Sequence, residues 1–234
     1  INDVKRDNEL LRAVFAGDAQ AVELLVASNK VDVNAECSCG LGPETPLMFA
    51  AAQSDAPTVR VLVDAKADVM HANRDGTTAI IFAARAGCVD TLRCLAQGKP
   101  ERLEAADSEG RRPVHEAADC GHAEALRFLL EECSADPNVE SRRGDSPLLC
   151  AASRHFLDCA HILVERGART TLSANMNNVL FLLTEAGDTA MVQLLIDADL
   201  GIEHVRIPLA GGEEAGLLAI LQAKALKATG NSDT

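Results

Sequence analysis

Residues 107–122 read Asp-Ser-Glu-Gly-Arg-Arg-Pro-Val-His-Glu-Ala-Ala-Asp-Cys-Gly-His, and this stretch decides the fold. Pro113 stands where a helix can begin, because the first turn of a helix does not use the backbone N–H that proline lacks. Ala117 and Ala118 are small enough for a neighbouring helix to approach closely. Gly121 then ends the helix, since glycine adopts the left-handed conformation without steric cost. The stretch therefore predicts a short helix packed against a close neighbour.

The same pair of small residues recurs along the chain, at spacings of 37, 33, 34 and 34 residues. The pairs are Ala13-Val14, Ala50-Ala51, Ala83-Ala84, Ala117-Ala118 and Ala151-Ala152, with a diverged sixth copy at Leu182-Leu183. A helix break follows each pair, at Gly17, Ser54, Gly87, Gly121, His155 and Gly187. A period of this length is typical of stacked structural repeats, each of which buries its apolar face against the next.

A second helix is predicted after every break. A leucine lies eight residues after each one, at Leu25, Leu62, Leu95, Leu129, Leu163 and Leu195. Apolar residues precede it by three positions and follow it by one, which places all three on one helix face. The first helices also have start signals. Side chains suited to capping the helix N-terminus stand at Thr45, Thr78, Ser146 and Asn178, and prolines at Pro46, Pro113 and Pro147.

The stretch at 107–122 resembles the ankyrin-repeat consensus, and Gly167-Ala168 resembles the end of such a repeat. The resemblance implies an all-α ankyrin-repeat solenoid of about six helix–turn–helix repeats joined by hairpin loops. The array is predicted over residues 1–206, with repeats near 7–36, 40–72, 73–106, 107–140, 141–172 and 173–205. The chain departs from the family pattern in three places: residues 37–44 lengthen the first junction, residues 97–104 replace the expected Gly-Ala-Asp, and the sixth copy lacks the proline and both alanines.

The C-terminal region, residues 207–229, is predicted to form a helix that caps the sixth repeat. Leu217, Leu218, Leu221 and Leu226 give it a mostly apolar face, and an end repeat needs a cap between its core and water. Residues 230–234 are predicted to be a flexible tail.

Composition narrows the functional classes. A net charge of −13 argues against direct nucleic-acid binding, which requires clustered lysines and arginines. No apolar run has membrane-spanning length, and the eight scattered cysteines favour a reducing compartment, so we expect a cytoplasmic protein, with a nuclear location as the alternative. No phosphate-binding loop or nucleophile elbow is present, so we expect no cofactor and no enzymatic activity.

A metal site at His115, Asp119 and His122 is the sharpest alternative, because offsets of four and seven would align these side chains on one continuous helix. The resemblance favours a structural role instead. His115 occupies the family position where histidine orders the turn, and Gly121 breaks the helix before His122. The Cys37/Cys39 pair lacks a partner pair at zinc-ribbon spacing, so we expect no metal there.

The resemblance also implies where a partner binds, on a surface made by the hairpin tips and the exposed side of the first helices. The predicted contact residues are Arg74, Asp75, Thr77, Arg85, Ser108, Glu109, Arg111, Asp119, Arg142, Arg143, Asp145, Arg154 and Asn175. Repeats three to five contribute six arginines and four acidic residues, an excess of two positive charges on an acidic chain. Exposed ion pairs stabilise folding little, so these arginines are predicted to bind an acidic or extended segment of a partner.

The favoured function is therefore a non-enzymatic interaction scaffold, adaptor or inhibitor that is monomeric on its own. One alternative is an assembly chaperone of a multisubunit complex, similar to the small ankyrin proteins that escort proteasome subunits. Another is the targeting module of a longer enzyme or channel.

Overall fold

The computed structural model describes residues 2–28, 30–37, 43–97, 99–169, 188, 190–191 and 194–195. In these residues the regular structure is helical, and the only β-pairing is two isolated antiparallel bridges, Cys37–Glu44 and Ala72–Thr78. The chain divides into two compact units, residues 1–136 and 137–234.

Short helices come in pairs in both units. The first unit contains α1 (Asn2–Phe15), α2 (Ala19–Ala27), α3 (Pro46–Ala52), α4 (Ala56–Asp64), α5 (Ala79–Ala86), α6 (Val89–Ala96), a 3₁₀ helix (Pro100–Glu104), α7 (Pro113–Asp119) and α8 (Ala123–Arg127), which continues into a π-helical turn (Phe128–Glu132). The described helices of the second unit are α9 (Pro147–Ser153) and α10 (Leu157–Glu165).

The helices of the first unit form two layers. The first helices α1, α3, α5 and α7 pack in sequence, while α2, α4 and α6 form a second row behind them. The small pairs lie between the helices: the five described pairs are buried, and Ala50-Ala51, Ala83-Ala84, Ala117-Ala118 and, in the second unit, Ala151-Ala152 have no exposed surface. The sixth predicted pair, Leu182-Leu183, lies outside the described residues. The predicted role of these pairs in close helix packing is confirmed, as is the all-α ankyrin-repeat fold class.

The recurring leucines belong to the same core. Five of them have no exposed surface: Leu62, Leu95, Leu129, Leu163 and Leu195. Leu25 is only half-buried; it lies in α2, which packs on α4.

All described helix breaks adopt left-handed backbone conformations, as predicted for the glycines. Gly17, Gly87 and Gly121 have φ angles between 66° and 76°. Ser54 and His155 adopt φ angles of 61° and 62°, so the geometry is kept even where a side chain makes it costly. The sixth predicted break, Gly187, lies outside the described residues.

The predicted N-caps have mixed outcomes. The Thr45 hydroxyl accepts the N–H of Met48 at 3.4 Å, and the Ser146 hydroxyl accepts that of Leu149 at 3.2 Å. The prediction is wrong for Thr78, whose buried hydroxyl has no hydrogen-bond partner in the described structure. The N–H of Ile81, which it would cap, bonds instead to the Thr78 backbone carbonyl at 3.1 Å. Asn178 lies outside the described residues.

Repeats three and four end their second helices irregularly. In repeats two and five a left-handed residue, Lys66 or Gly167, follows the recurring leucine by four positions. Repeat four places its left-handed residue, Ser134, five positions after Leu129, and the extra residue is accommodated by the π-helical turn. In repeat three the left-handed residue is Gln97, two positions after the leucine, and the 3₁₀ helix follows.

The predicted sixth repeat is described only at five positions, of which Met191, Leu194 and Leu195 are buried. The predicted capping helix at 207–229 and the tail at 230–234 lie outside the described residues. Within the described part of the chain, every helix is too short or too polar to span a membrane.

Candidate partner-binding surface

A buried asparagine builds the hairpin that begins repeat three. Asn73 is 8% exposed, and its side-chain Oδ1 accepts the backbone N–H groups of Asp75 at 3.0 Å and Thr77 at 2.9 Å. Its own backbone N–H donates to the carbonyl of Thr77 at 3.1 Å, and Gly76 closes the turn with a φ of 74°. The hairpin backbone is thus fixed by hydrogen bonds that leave its tip residues facing outward.

Two further hairpins repeat this arrangement with different residues. In repeat four the Asp107 carboxylate accepts the N–H groups of Glu109 at 2.9 Å and Arg111 at 2.8 Å. In the second unit the hydroxyl of Ser141 accepts those of Arg143 at 3.2 Å and Asp145 at 3.1 Å. The sequence reasoning missed these organising residues. A spacing of 34 residues between short polar residues, each three before a glycine, is the signal that would have found them.

The tips of repeats three and four are joined directly. The backbone N–H of Ser108 donates to the carbonyl of Asp75 at 2.7 Å. A Cβ atom on Gly76 would lie only 2.8 Å from the Ser108 nitrogen, so this contact requires glycine. Arg74, Asp75, Ser108 and Glu109 are exposed on this joined pair of tips, as predicted.

Exposure differs from the prediction for Thr77, which is 5% exposed. Its backbone carbonyl and N–H both pair with Asn73, so the residue belongs to the buried base of the hairpin and not to its tip. The expectation that Thr77 presents its side chain to a partner is therefore wrong on the ground of burial.

Behind the tips lies a network of charged side chains, which we call the arginine clamp: Arg85, Arg111, Glu116 and Asp119. Arg85 Nε donates to Glu116 Oε2 at 2.8 Å, and Arg111 Nε donates to Glu116 Oε1 at 2.7 Å. Arg111 also contacts Asp119 through a terminal nitrogen at 3.1 Å. The Glu116 side chain is 5% exposed, so two arginines from neighbouring repeats hold one buried carboxylate.

The clamp sets the ionisation of its members. Burial alone would raise the pKa of Glu116, but the Arg85 hydrogen bond and the charges of both arginines hold that pKa below its usual value. Burial alone would lower the pKa of Arg85, whereas the bond to Glu116 raises it overall. Burial, followed by the charges of Glu116 and Asp119, raises the pKa of the nearby Cys120 thiol, which keeps that thiol protonated at neutral pH.

This geometry corrects the argument that the arginines have no folding role. Arg111 is 20% exposed and Arg85 46% exposed at their side chains, and both neutralise a carboxylate that could not be left buried alone. Arg85 nevertheless keeps nearly half of its surface open, and its guanidinium lies 5.6 Å from the centre of the Phe82 ring.

In the second unit the predicted contact residues stand on the hairpin organised by Ser141 and at the end of α9. Arg142, Arg143 and Arg154 are exposed, and Asp145 is half-buried. Arg142 makes no side-chain hydrogen bond or ion pair within the described residues, whereas the other three do have interaction partners. Asn175 lies outside the described residues.

The two histidines of the alternative metal site have separate structural roles. His115 Nδ1 accepts the backbone N–H of Arg112 at 3.1 Å, at the start of its own helix. His122 Nε2 lies 2.9 Å from the Arg85 carbonyl, and its ring packs where a Cβ atom on Gly87 would be. Among the described residues no three histidine, cysteine or acidic side chains are grouped closely enough to hold a metal ion. Cys37 is disulfide-bonded, an observation that does not favour the reducing compartment expected from cysteine spacing.

The repeat geometry agrees with comparisons to known proteins. A family model described as ankyrin repeats (3 copies) matches residues 10–101, 47–141 and 115–208. The chain is 29% identical over 245 residues to the B-cell lymphoma 3 protein homolog of Mus musculus, an alignment that covers 98% of this chain and 53% of that protein.

Other relatives share shorter regions. Ankyrin repeat domain-containing protein 63 of Homo sapiens is 34% identical over 139 residues, covering 56% of this chain and 36% of that protein. The mitochondrial liver isoform of glutaminase from Mus musculus is 36% identical over 84 residues, covering 36% and 14%. The chain therefore spans about half, or less, of the curated relatives it matches. With three matched copies across residues 10–208, the chain belongs to the ankyrin-repeat family, whose members generally bind proteins and are generally not enzymes.

Proposed function

We propose that the chain is a non-enzymatic scaffold, adaptor or inhibitor that binds a protein partner through its hairpin tips and the exposed side of its first helices. The observation that supports this most directly is the fixed hairpin backbone. Asn73 and Asp107 hold each turn from inside, and the Ser108–Asp75 bond joins the tips, while the outward side chains stay exposed. A preorganised surface of this kind binds with little loss of conformational entropy.

We further propose that the partner presents an acidic or extended segment. In the first unit Arg74 is exposed, without a side-chain partner among the described residues, and Arg85 is held in place by Glu116 with its outer edge open. In the second unit Arg142, Arg143 and Arg154 present further exposed guanidinium groups. Arginine binds carboxylates through two parallel hydrogen bonds, which makes it suited to an acidic segment.

Titration of a partner against surface variants tests the proposal. A partner recovered by co-purification with the full chain is titrated against wild type, Arg74→Ala/Arg85→Ala and Arg142→Ala/Arg154→Ala. We expect each double variant to weaken binding by about 2 kcal/mol, and wild-type association to slow as salt rises. Arg60→Ala, an exposed arginine on the second helix α4, is the matched control and should bind as wild type does.

If both double variants bind with wild-type affinity and salt dependence, the proposed surface is wrong. Binding would then have to involve the junction at 37–44 or the second-helix row. Circular dichroism of every variant separates loss of binding from loss of structure.

A second candidate function is supported by the relatives. The chain matches only 14% of the liver glutaminase, an enzyme whose name describes its activity, so related repeats occur within longer enzymes. On this hypothesis the array is the targeting module of a longer enzyme or channel. The complete reading frame tests it: a catalytic or channel domain in the same frame would support the module, and its absence would contradict it.

A further inference from the structure

A cavity of about 400 Å³ lies on the second-helix side of the first unit, away from the hairpin tips and the arginine clamp. Its floor is apolar: Ala96, Leu103 and Phe128 line it and are 6%, 4% and 5% exposed. Its volume falls at the lower end of the range of about 300–1,000 Å³ that is typical of ligand pockets.

Both irregular segments of the repeat array form this cavity. Leu103 comes from the 3₁₀ helix that replaces the family's usual repeat ending, and Phe128 and Glu132 come from the π-helical turn. Arg102 fixes the 3₁₀ helix by donating to the Leu95 carbonyl at 2.6 Å. π-Helical turns occur frequently at functional sites. The two places where the chain departs from its repeat therefore meet at one pocket.

Of the charged side chains on the rim of the cavity, Arg93 and Glu132 pair with each other and Lys99 does not take part. Arg93 donates to both carboxylate oxygens of Glu132, at 2.5 and 2.8 Å, and its guanidinium lies 4.9 Å from the centre of the Phe128 ring. This pair is internally neutral. Lys99 is exposed on the same rim, and no described residue forms an ion pair with it. The pocket thus has an apolar floor, one ion pair without net charge on its rim, and one positive charge that is available to a ligand.

From this arrangement we infer that the pocket is a second protein-binding site, which takes an apolar side chain with a carboxylate next to it in an extended segment of a partner. The apolar side chain covers Leu103 and Phe128, and the carboxylate pairs with Lys99. The site is separate from the surface of the hairpin tips and does not depend on it. Charge complementarity favours this occupant: Lys99 is an exposed positive charge with no ion-pair partner among the described residues, so a carboxylate beside the apolar side chain can pair with it at the rim.

Selection of a phage-displayed library of random dodecapeptides on the full chain tests this inference. Enriched peptides are then synthesised and titrated by fluorescence anisotropy against wild type, Lys99→Glu, Ala96→Leu and Lys66→Glu. Ala96→Leu fills the floor of the pocket. Lys66→Glu is the matched control, because Lys66 is exposed after the second helix of the preceding repeat and lies outside the pocket.

We expect enriched peptides that carry an apolar residue beside aspartate or glutamate. Lys99→Glu should weaken their binding about tenfold, Ala96→Leu by more than that, and Lys66→Glu not at all. Lys99 is exposed, so its variant keeps the fold even if Ala96→Leu proves unstable by circular dichroism. Peptides that bind Lys99→Glu as tightly as wild type, or enrichment of no peptide that distinguishes the two, would overturn the inference. Self-association of wild type that Lys99→Glu abolishes, without peptide binding, would also overturn it, because the occupant would be a second copy of the chain.

Discussion

Glu116 and Glu132 are both bound by arginine at hydrogen-bond distances of 2.5–2.8 Å, and both have a pKa below the usual value. Their surroundings differ. The Glu116 side chain is 5% exposed and lies between two arginines of successive repeats, whereas that of Glu132 is 51% exposed at the rim of the cavity. The number and length of the hydrogen bonds are nearly the same in the two regions, so the regions differ in burial and in whether one arginine or two supply those bonds.

The comparison indicates that an ion pair contributes to the stability of the fold when its carboxylate is buried, and contributes little when the carboxylate is hydrated. Water can take the place of a lost arginine beside Glu132, because that carboxylate is largely hydrated already. Glu116 has no such replacement, and removing an arginine there leaves a buried charge without full compensation. The clamp is therefore expected to matter for stability, and the Arg93–Glu132 pair for the shape of the pocket.

The largest effect is expected from Arg111→Ala. Arg111 contacts Glu116 at 2.7 Å and Asp119 at 3.1 Å and is only 20% exposed, so its loss should lower the free energy of unfolding by about 3 kcal/mol. Urea denaturation followed by circular dichroism measures this. Arg74→Ala, at an exposed tip position, is the control and should unfold as wild type does. If Arg111→Ala is as stable as wild type, the claim that the buried clamp stabilises the fold more than the exposed Arg93–Glu132 pair does is wrong.

A smaller effect on the free energy of unfolding is expected from Glu116→Gln, and this effect should depend on pH. The pKa of Glu116 is lowered in the folded chain, so its contribution is complete above the usual glutamate pKa of about 4.3 and is lost as pH falls through the lowered value. Glu116→Gln should therefore cost about 1–2 kcal/mol at pH 7, and the cost should shrink below about pH 4. Urea titrations of both proteins between pH 7 and pH 3 measure the difference. A difference that stayed constant with pH would contradict the assignment.

The smallest effect is expected at the exposed pair. Arg93→Ala should change the urea midpoint by no more than the error of the titration, at low and high salt, because both partners are hydrated at the surface. A clear loss of stability would show that the contact of Arg93 with Phe128 supports the fold. The difference in stability effect between the Glu116 and Glu132 regions would then have to be explained by packing as well as by burial.

Periodicity was sufficient to predict most of the core. Small pairs, a leucine eight residues after every break, and the left-handed glycine breaks all follow from residue type and spacing, and the structure confirms them wherever it describes them. Ser54 and His155 could be predicted as breaks even though neither is glycine, because neighbouring copies indicated the position, but their left-handed conformations were not predicted. Because the same pattern occurs in six copies, an exceptional residue in one copy does not prevent the pattern from being recognised.

Side-chain partners between repeats were harder to predict. Arg85 and Glu116 are 31 positions apart, and nothing in the local sequence shows that α5 and α7 bring them within 2.8 Å. Thr77 was expected to face a partner because the ankyrin resemblance implied an exposed position there, yet its hydrogen bonds with Asn73 place it at the buried base of the hairpin. The cavity at Phe128 depends on the π-helical turn, which a pattern of recurring leucines does not reveal.

The contact between His122 and the Arg85 carbonyl has a consequence for synthesis on the ribosome. The two residues are 37 positions apart, so the Arg85 carbonyl, in the last turn of α5, gains its partner only after most of the next repeat has been translated. Asn34 similarly accepts the N–H of Asp68 across 34 residues. We expect the nascent chain to acquire stable structure in steps of one repeat, each delayed until its successor has left the exit tunnel.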